Sequence, residues 1–479
     1  MKKNYLIALS VAALMLAGPV AQAFADISFS GQIRPRLETR NHDFDDDTGM
    51  NTFWQTRVRL NATAKANDQV SAFVQLQSVG VWGLDNAGAA NAGYALGTRA
   101  AIGGGGDEAS DSLADVGLHQ AYFTIKNFYG SSFDLKMGRQ EVVIDGHRLY
   151  GHTGWTSGAQ TNDAIRLTHA AGNHTLSYTF IKGLEEAGQV NQDGNTGNDR
   201  GDNSDVNHHI LHASTQGVMG GTLSGIFVLY DDNGGAQGAM GDEWYTIGAR
   251  QKGKLGALDY RVEFYHQFGD ACGDACGTYA YTTETDSGSV DRDAQMFGIR
   301  VGKTFKNAQW SPTVTLWYDF LSGTDDADVT GQDYSTFDTI QDTGHKFYGF
   351  MDLYLARNGG KEGRLGLQDF AIKAKMSPKP GWILKADWHQ FWTDVDLSEN
   401  TTLAALDISG AGTPGILTDW SKDLGNELDL TLVHKYNPNA KVVFGYSHYW
   451  TSALFSAING ANRQAGAHSN VENDDSDWA

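Results

Sequence analysis

Short stretches of this chain alternate between apolar and polar residues with a period of two. In the first clear stretch, Phe29, Ile33 and Leu37 fall on one parity, while Arg34 and Arg36 fall on the other. Successive side chains of a β-strand point to opposite faces, so this period predicts a strand. Because one face is apolar and the other is charged, each strand is expected to separate two different solvents.

Connections between these stretches are alternately short and long. The short ones carry the residue types that tight hairpin turns require, such as Asn67-Asp68 and Gly172-Asn173. Short turns are predicted at 66–69, 128–131, 170–173, 216–221, 253–256, 305–310, 377–381 and 437–440. Long polar connections are predicted at 41–51, 83–115, 143–160, 183–205, 232–242, 269–292, 322–365, 393–424 and 452–475.

This alternation predicts an all-β fold, a transmembrane antiparallel up-and-down β-barrel of about 18 strands, with short periplasmic turns and long outer loops. The segment 345–355 also looks strand-like, but the turn at 377–381 fixes the direction of the next strand, so we place it inside the connection 322–365. Strand 18 begins near Asp475 and is expected to be truncated, because a crossing needs about ten residues.

Composition agrees with crossing by strands. The mean hydropathy is −0.39, and Gly accounts for 58 residues but Pro for only 7. Beyond the N-terminal segment, no apolar run approaches the roughly 18 residues that a membrane helix needs. Aromatic residues, among them Trp54, Tyr129, Trp382 and Trp450, stand at predicted strand ends, where membrane interfaces favour them.

The N-terminus has the pattern of a secretory signal. Lys2 and Lys3 precede an apolar run over 5–17, and small residues frame cleavage sites after Ala23 and Ala25. We favour cleavage after Ala25, giving a signal peptide over 1–25 and a barrel domain over 26–479. The alternative, an uncleaved membrane anchor, is disfavoured because the apolar run is short and no stop-transfer pattern follows.

The two cysteines, Cys272 and Cys276, lie close together in a predicted outer loop. In an exported protein this spacing predicts a disulfide that closes a small loop. The alternative is a metal site, but the run offers only two thiolates and no histidine, whereas structural zinc prefers four ligands. We therefore expect no bound metal, and the absence of a nucleotide loop or haem motif predicts no cofactor.

Charge is sorted by location. The net charge is −21, yet the predicted strands carry about +6 and the remaining mature chain about −29. Charge facing lipid is costly, so the wall cations should face the lumen with acidic partners Glu427 and Asp429. The other predicted lumen residues are Arg34, Arg36, Arg57, Arg59, Arg166, Arg250, Arg300, Lys373 and Lys375.

A positive lumen lowers the barrier for anions. The alternative is a mixed wall whose charges solvate the pore without strong selectivity. The acidic outer loops, such as 43–47 and 325–328, leave two interpretations: divalent-cation bridges to lipopolysaccharide, or a solvated surface.

Several motifs stand out in the chain: Gly138-Arg139-Gln140-Glu141, Gly146-His147-Arg148-Leu149, Thr161–Arg166, Phe337–Thr339, His345–Asp352 and Glu427–Thr431. With these motifs the chain resembles the alginate export family of outer-membrane porins. The resemblance implies 18 strands, an inward-folded loop at 345–352, and a basic constriction through which an anionic polysaccharide leaves the cell. By these motifs, the resemblance implies that Arg139, Arg148 and Arg166 are cations of the constriction. It also implies that Asp163 and Glu141 are their acidic partners. Arg139 has the parity of lipid-facing residues, so a bulge near Gly138 would be needed.

Three functions remain in view. The first is a passive channel for anionic solutes, from small organic anions to a polyuronate. The second is an outer-membrane enzyme, for which His147, His152, Ser157 and Asp163 supply residue types but no nucleophile motif, so we expect no enzyme. The third is a structural barrel plugged by 322–365. Expected partners are membrane lipid and lipopolysaccharide, an anionic solute or polysaccharide, and periplasmic export partners, but no nucleic acid.

Overall fold

The structure is a computed structural model that describes residues 26–41, 50–82, 116–184, 205–232, 242–271, 290–354, 365–396, 422–452, 454–455 and 476–478. The predicted signal peptide and the cysteines Cys272 and Cys276 lie outside the described residues, so their assignments stay predictions. No helix in the described ranges is both long and apolar enough to cross a membrane.

The described chain is almost entirely β-structure. The longer strands are β1 (Asp26–Arg40), β2 (Asn51–Lys65), β3 (Val70–Val81), β4 (Val116–Ile125), β5 (Phe133–Gln140), β6 (Asn162–Ala171), β7 (His174–Leu184), β8 (Val206–Val218), β9 (Gly221–Asp232), β10 (Asp242–Leu255), β11 (Leu258–Ala271), β12 (Val290–Thr304), β13 (Thr313–Leu321), β15 (Leu367–Met376), β16 (Trp382–Trp392), β17 (Asp423–Asn437) and β18 (Ala440–Thr451). The short elements are β14 (Asp333–Tyr334), β19 (Ser476–Trp478), α1 (Asp326–Gly331) and 3₁₀ turns at Phe128–Gly130 and Gly344–Lys346.

Each long strand pairs antiparallel with the next one along the chain. β14 lies in the long connection before β15, where it pairs parallel with β12. β19 pairs with both β18 and β1, so the strand order returns to its start near the outer rim. The predicted all-β, 18-stranded antiparallel fold is confirmed, and 345–354 lies within a long connection, as predicted.

The two faces of the sheet differ as the sequence pattern requires. Phe29 and Ile33 are 66% and 74% exposed on the outer face, whereas Glu38 and Arg57 are 4% exposed on the other. Loop residues contact this second face on β1, β2, β11, β13 and β17. Strands that lie so far apart in the sheet can contact the same loops only if the sheet curves around them, and we call the space inside the curved sheet the lumen.

Two connections fill this lumen as one body, and we call 141–161 and 335–354 the lumen loops. Tyr150 and Gln341 form a parallel bridge between them. Three backbone hydrogen bonds extend it: Gly151 N–H to Gln341 O at 2.8 Å, Gln341 N–H to Leu149 O at 2.9 Å, and Thr343 N–H to His147 O at 3.1 Å. The apolar core of the protein therefore lies inside the sheet and includes Tyr150, Phe347 and Met351 of these loops.

A bulge interrupts the pattern in β4. The pairing of β3 with β4 shifts register between Gln75 and Leu76, and the consecutive residues His119 and Gln120 both become buried. The bulge lies away from Gly138, around which β5 keeps its register with β4 and β6. Gly138 has φ +123°, and a Cβ there would come within 2.3 Å of the carbonyl oxygen of Ala121, which explains glycine at this position.

Because alternate residues of β1 face outward and inward, two arginine substitutions in this strand should differ strongly in their cost to folding stability. Ile33→Arg places a charge on the outer face near the middle of the strand and should cost about 2–4 kcal/mol of folding free energy in a bilayer. Ser30→Arg, on the lumen parity of the same strand, should cost little. Urea titrations of refolding into lipid vesicles measure both, and equal losses of stability would contradict the assignment of the two faces.

Candidate functional site

Three predicted lumen arginines hold the first lumen loop by its backbone. Arg34 donates from Nη1 to Gly154 O at 3.0 Å and from Nη2 to Trp155 O at 2.9 Å. Arg57 donates from Nη1 to the same Gly154 oxygen at 3.2 Å. Arg36 donates to Trp155 O at 3.3 Å and lies over the Trp155 ring at 5.1 Å. These guanidinium groups face the lumen, but their hydrogen bonds are used to anchor a loop.

Arg59 and Arg166 face the lumen nearby, on β2 and β6. Arg59 donates to Gln77 Oε1 at 2.7 Å and approaches Glu141 Oε1 at 3.4 Å. Arg166 is half-buried and lies opposite Lys136 in the register of β5 and β6. Among the described residues, Glu141 is the one acid that contacts these cations. Cations therefore outnumber acids in this part of the wall.

Arg148 is a buried structural junction. It is 1% exposed and donates to Glu263 Oε1 at 3.0 Å, to Asp319 Oδ2 at 2.5 Å and to the Tyr348 hydroxyl at 2.7 Å. Its guanidinium also lies 3.7 Å from the centre of the Phe347 ring. Burial alone would lower the pKa of Arg148, but the carboxylates outweigh burial and raise it above its usual value. The residue joins both lumen loops to the wall, whereas the resemblance placed it in an open constriction.

Four cations converge beside this junction, and we call Arg250, Arg261, Arg300 and Lys346 the lumen cation cluster. Arg250 and Arg261 approach the single carboxylate of Glu263 at 3.4 Å and 3.3 Å, and both are buried. Glu263 also binds Arg148, which has Asp319 as a second partner, so three arginines share two carboxylates. Within these ion pairs the arginines outnumber the carboxylates.

Two members of the cluster present this charge to the lumen. Arg300 has a side chain that is 34% exposed and lies 3.6 Å from Asp259 Oδ1. Lys346 is exposed at the end of its 3₁₀ turn and donates to the neutral carbonyl of Gly146 at 3.2 Å. Partial burial and the nearby Arg261 and Arg250 lower the pKa of Lys346.

The same surroundings keep a neighbouring histidine neutral. Burial, Lys346 and His152 lower the pKa of His147 to about 4, so its imidazole carries no charge at neutral pH. Its Nδ1 atom lies 3.3 Å from the Thr343 hydroxyl, which ties the first lumen loop to the second.

Cations and acids are more evenly matched on the part of the wall formed by β15–β17. Lys373 Nζ lies 3.0 Å from His389 Nε2 and 3.6 Å from Asp387 Oδ2. Glu427 accepts the backbone N–H groups of Phe350 and Met351 at 2.5 Å and 2.9 Å, so it anchors the second lumen loop.

The two remaining predicted lumen residues on this wall lie apart from the lumen loops. Asp429 is buried on the lumen parity of β17 and accepts a hydrogen bond from the Ser447 hydroxyl at 2.6 Å. Lys375 lies exposed towards the periplasmic end of β15, opposite Lys385.

Arg139 and Asp163 do not face the lumen, where the resemblance placed them. Arg139 binds both oxygens of Asp163, at 2.9 Å and 2.7 Å. Their cross-strand pair lies on the same face as the pair Met137–Ile165, which is the outer face. Since β5 keeps its register through Gly138, nothing turns Arg139 inward. The pair belongs to the outer surface at the top of the wall.

Two residues of the site were not identified from the sequence. Lys346 lies in the His345–Asp352 stretch, but only the fold of that loop shows that its ammonium group reaches the wall arginines. Trp317 lies on the lumen parity of β13, between Thr315 and Asp319, and is 94% buried next to the cluster. An aromatic residue between the polar Thr315 and Asp319 on this parity is the signal that could have identified it.

Comparisons with known proteins agree with this geometry. Residues 25–466 match the alginate export family. No curated protein matches the chain. Similar solved structures include porins of Pseudomonas aeruginosa. OccK9 (OpdG) has a TM-score of 0.53 and 13% identity, with 95% of this chain and 97% of that chain covered. OccK5 (OpdH) has a TM-score of 0.52 and 10% identity, with 95% and 96% covered, and OccD3 (OpdP) has a TM-score of 0.50 and 11% identity, with 95% and 90% covered.

The fold and the family define the class of protein as an outer-membrane β-barrel channel of bacteria. Within that class, the chain belongs to the alginate export family.

The contrast between Arg148 and Arg139 gives a prediction about stability. Arg148→Met leaves Asp319 as a buried, uncompensated charge and should lower the free energy of unfolding by about 3–5 kcal/mol. Arg139→Met breaks a pair at the outer surface and should cost at most about 1 kcal/mol. Guanidinium unfolding in detergent micelles compares the two variants, and an equal loss in both would refute the assigned environments.

Proposed function

We propose that the protein is a passive channel for anionic solutes and that the lumen cation cluster provides its selectivity. The observation that carries this proposal is the charge of Lys346, which is exposed and donates to a neutral carbonyl group beside three arginines that share Glu263 and Asp319. Arg300 lies next to them with a side chain that is 34% exposed, 3.6 Å from Asp259. Fixed positive charge between low-dielectric walls concentrates anions and lowers their barrier. An arginine fork also matches the two oxygens of a carboxylate.

Small organic anions are favoured by the packing of the lumen loops. Tyr150, Phe347 and Met351 are buried in a core inside the sheet, and the loops are joined to the wall through Arg148 and Glu427. A polymer would have to pass this body as an extended chain or displace it. Family membership supports the other candidate, an anionic polysaccharide such as a polyuronate, whose repeated carboxylates the same cations would bind. Block of ionic current by short and long uronate oligomers distinguishes the two.

We propose no catalytic role. Ser157 donates to Gln55 Oε1 at 2.8 Å, and Asp163 lies on the outer face in its pair with Arg139. The residue types considered for a hydrolytic triad are therefore directed to different partners. The expected partners of the channel are outer-membrane lipid and lipopolysaccharide around the wall and export partners in the periplasm.

Neutralising the exposed cations should reduce anion preference. In planar bilayers with a salt gradient, the Arg300→Gln/Lys346→Gln variant should lower the anion-to-cation permeability ratio by about threefold or more, because two fixed charges leave the lumen. Lys303→Gln, which removes a charge from the outer face of β12, is the matched control and should leave the ratio unchanged. A wild-type channel that prefers cations, or a ratio unaffected by the double variant, would contradict the proposal.

The lowered pKa of Lys346 predicts a response to alkaline pH. A lysine with a lowered pKa is charged at neutral pH and loses its proton, as pH rises, earlier than an ordinary lysine. The permeability ratio should therefore begin to decrease at a lower pH than the pH at which exposed lysines titrate. Lys346→Arg, which stays protonated, should keep the ratio constant over that interval; a parallel fall in this variant would assign the effect to another group.

A further inference from the structure

Trp317 lies among three cations of the lumen wall. The Arg261 guanidinium is 4.2 Å from the ring centroid, the Lys373 ammonium 5.0 Å and the Arg300 guanidinium 5.7 Å. Arg300 is its direct cross-strand partner on β12, and Lys373 is a diagonal neighbour on β15. The Phe347 ring of the second lumen loop meets the tryptophan edge to face at 6.0 Å.

Each of these cations has a carboxylate within reach. Arg261 is 3.3 Å from Glu263, Arg300 is 3.6 Å from Asp259, and Lys373 is 3.6 Å from Asp387. These are ion-pair distances, so each carboxylate already compensates part of the charge of its cation. An aromatic ring carries no net charge, and the negative potential of its face still attracts a cation within about 6 Å. A ring can therefore position several cations at once without adding negative charge to them.

The indole N–H group is not the reason for tryptophan at this position. Its Nε1 atom is buried and has no hydrogen-bond partner within the described part of the chain. What the residue offers its neighbours is the face and edge of a large ring. A smaller aromatic ring should consequently retain part of the effect, and an aliphatic side chain should not.

We infer that Trp317 is a positioning residue for selectivity: its ring holds Arg261, Arg300 and Lys373 in place beside the lumen and adds no negative charge to them. The inference rests on the proposed anion channel and adds to it the side chain that fixes where these three cations lie.

The test compares Trp317→Leu and Trp317→Phe by reversal potential in planar bilayers under a salt gradient. Trp317→Leu should lower the anion-to-cation permeability ratio by about twofold or more, because the three cations lose the ring that holds them beside the lumen. Trp317→Phe should restore most of the ratio. Trp244→Leu is the matched control, because Trp244 faces the lumen and lies 4.3 Å from the Arg292 guanidinium, away from the cluster; it should leave the ratio unchanged.

Heat-modifiable electrophoretic mobility establishes that each variant is folded, and Trp317→Met replaces Trp317→Leu if that variant does not fold. A ratio unchanged in Trp317→Leu, or a Trp317→Phe ratio as low as that of Trp317→Leu, would overturn the inference. A wild-type channel that prefers cations would contradict the proposed function but not the inference about Trp317. The change in permeability ratio caused by Trp317→Leu would still be measured relative to that wild type. A ratio that falls in Arg300→Gln/Lys346→Gln but not in Trp317→Leu would contradict the inference alone.

Discussion

Backbone hydrogen bonding in a lipid environment is the constraint on which this structure depends. Lipid offers no partner to an N–H or C=O group, so each crossing must satisfy its backbone on neighbouring strands. The continuous antiparallel order from β1 to β18 does this, and it fixes the orientation of every side chain through the pleat. Once a strand is paired, its charged residues can avoid lipid only by sharing the parity that faces the lumen. The orientation of Arg34, Arg57 and Arg250 towards the lumen is therefore a consequence of their place in the two-residue period.

Facing the lumen does not by itself make a cation part of a solute path. Arg34 and Arg57 use their donors on the carbonyl groups of the first lumen loop, and Arg148 is enclosed by Glu263 and Asp319. These residues hold the loops that narrow the lumen, so their effect on solutes is indirect. The same residue type thus has two roles on one wall, and burial together with partner identity separates them.

The sequence predicted the parts of the fold that depend on local patterns. Strand number, the alternation of short and long connections, and the placement of 345–354 inside a connection all follow from periodicity and turn residues. An inward orientation of Arg139 required a bulge near Gly138 that the sequence does not specify, and β4 has a bulge at His119 while β5 keeps its register through Gly138. Lys346 and Trp317 could not be assigned because their roles arise from a loop that packs against strands far away in the chain. Such contacts depend on the register of the whole sheet, which no local pattern contains.

Incomplete charge compensation in the lumen has a physical cost. Burying Arg250 and Arg261 with one shared carboxylate, Glu263, is less favourable than giving each its own acid, because desolvated charges need partners. A fully paired wall would be more stable but would offer no net field to an anion. In the proposed channel the ring of Trp317 lowers this cost, since it attracts Arg261 and adds no negative charge. Selectivity, as proposed, and stability thus oppose each other at this position of the wall, and an aromatic side chain would satisfy both in part.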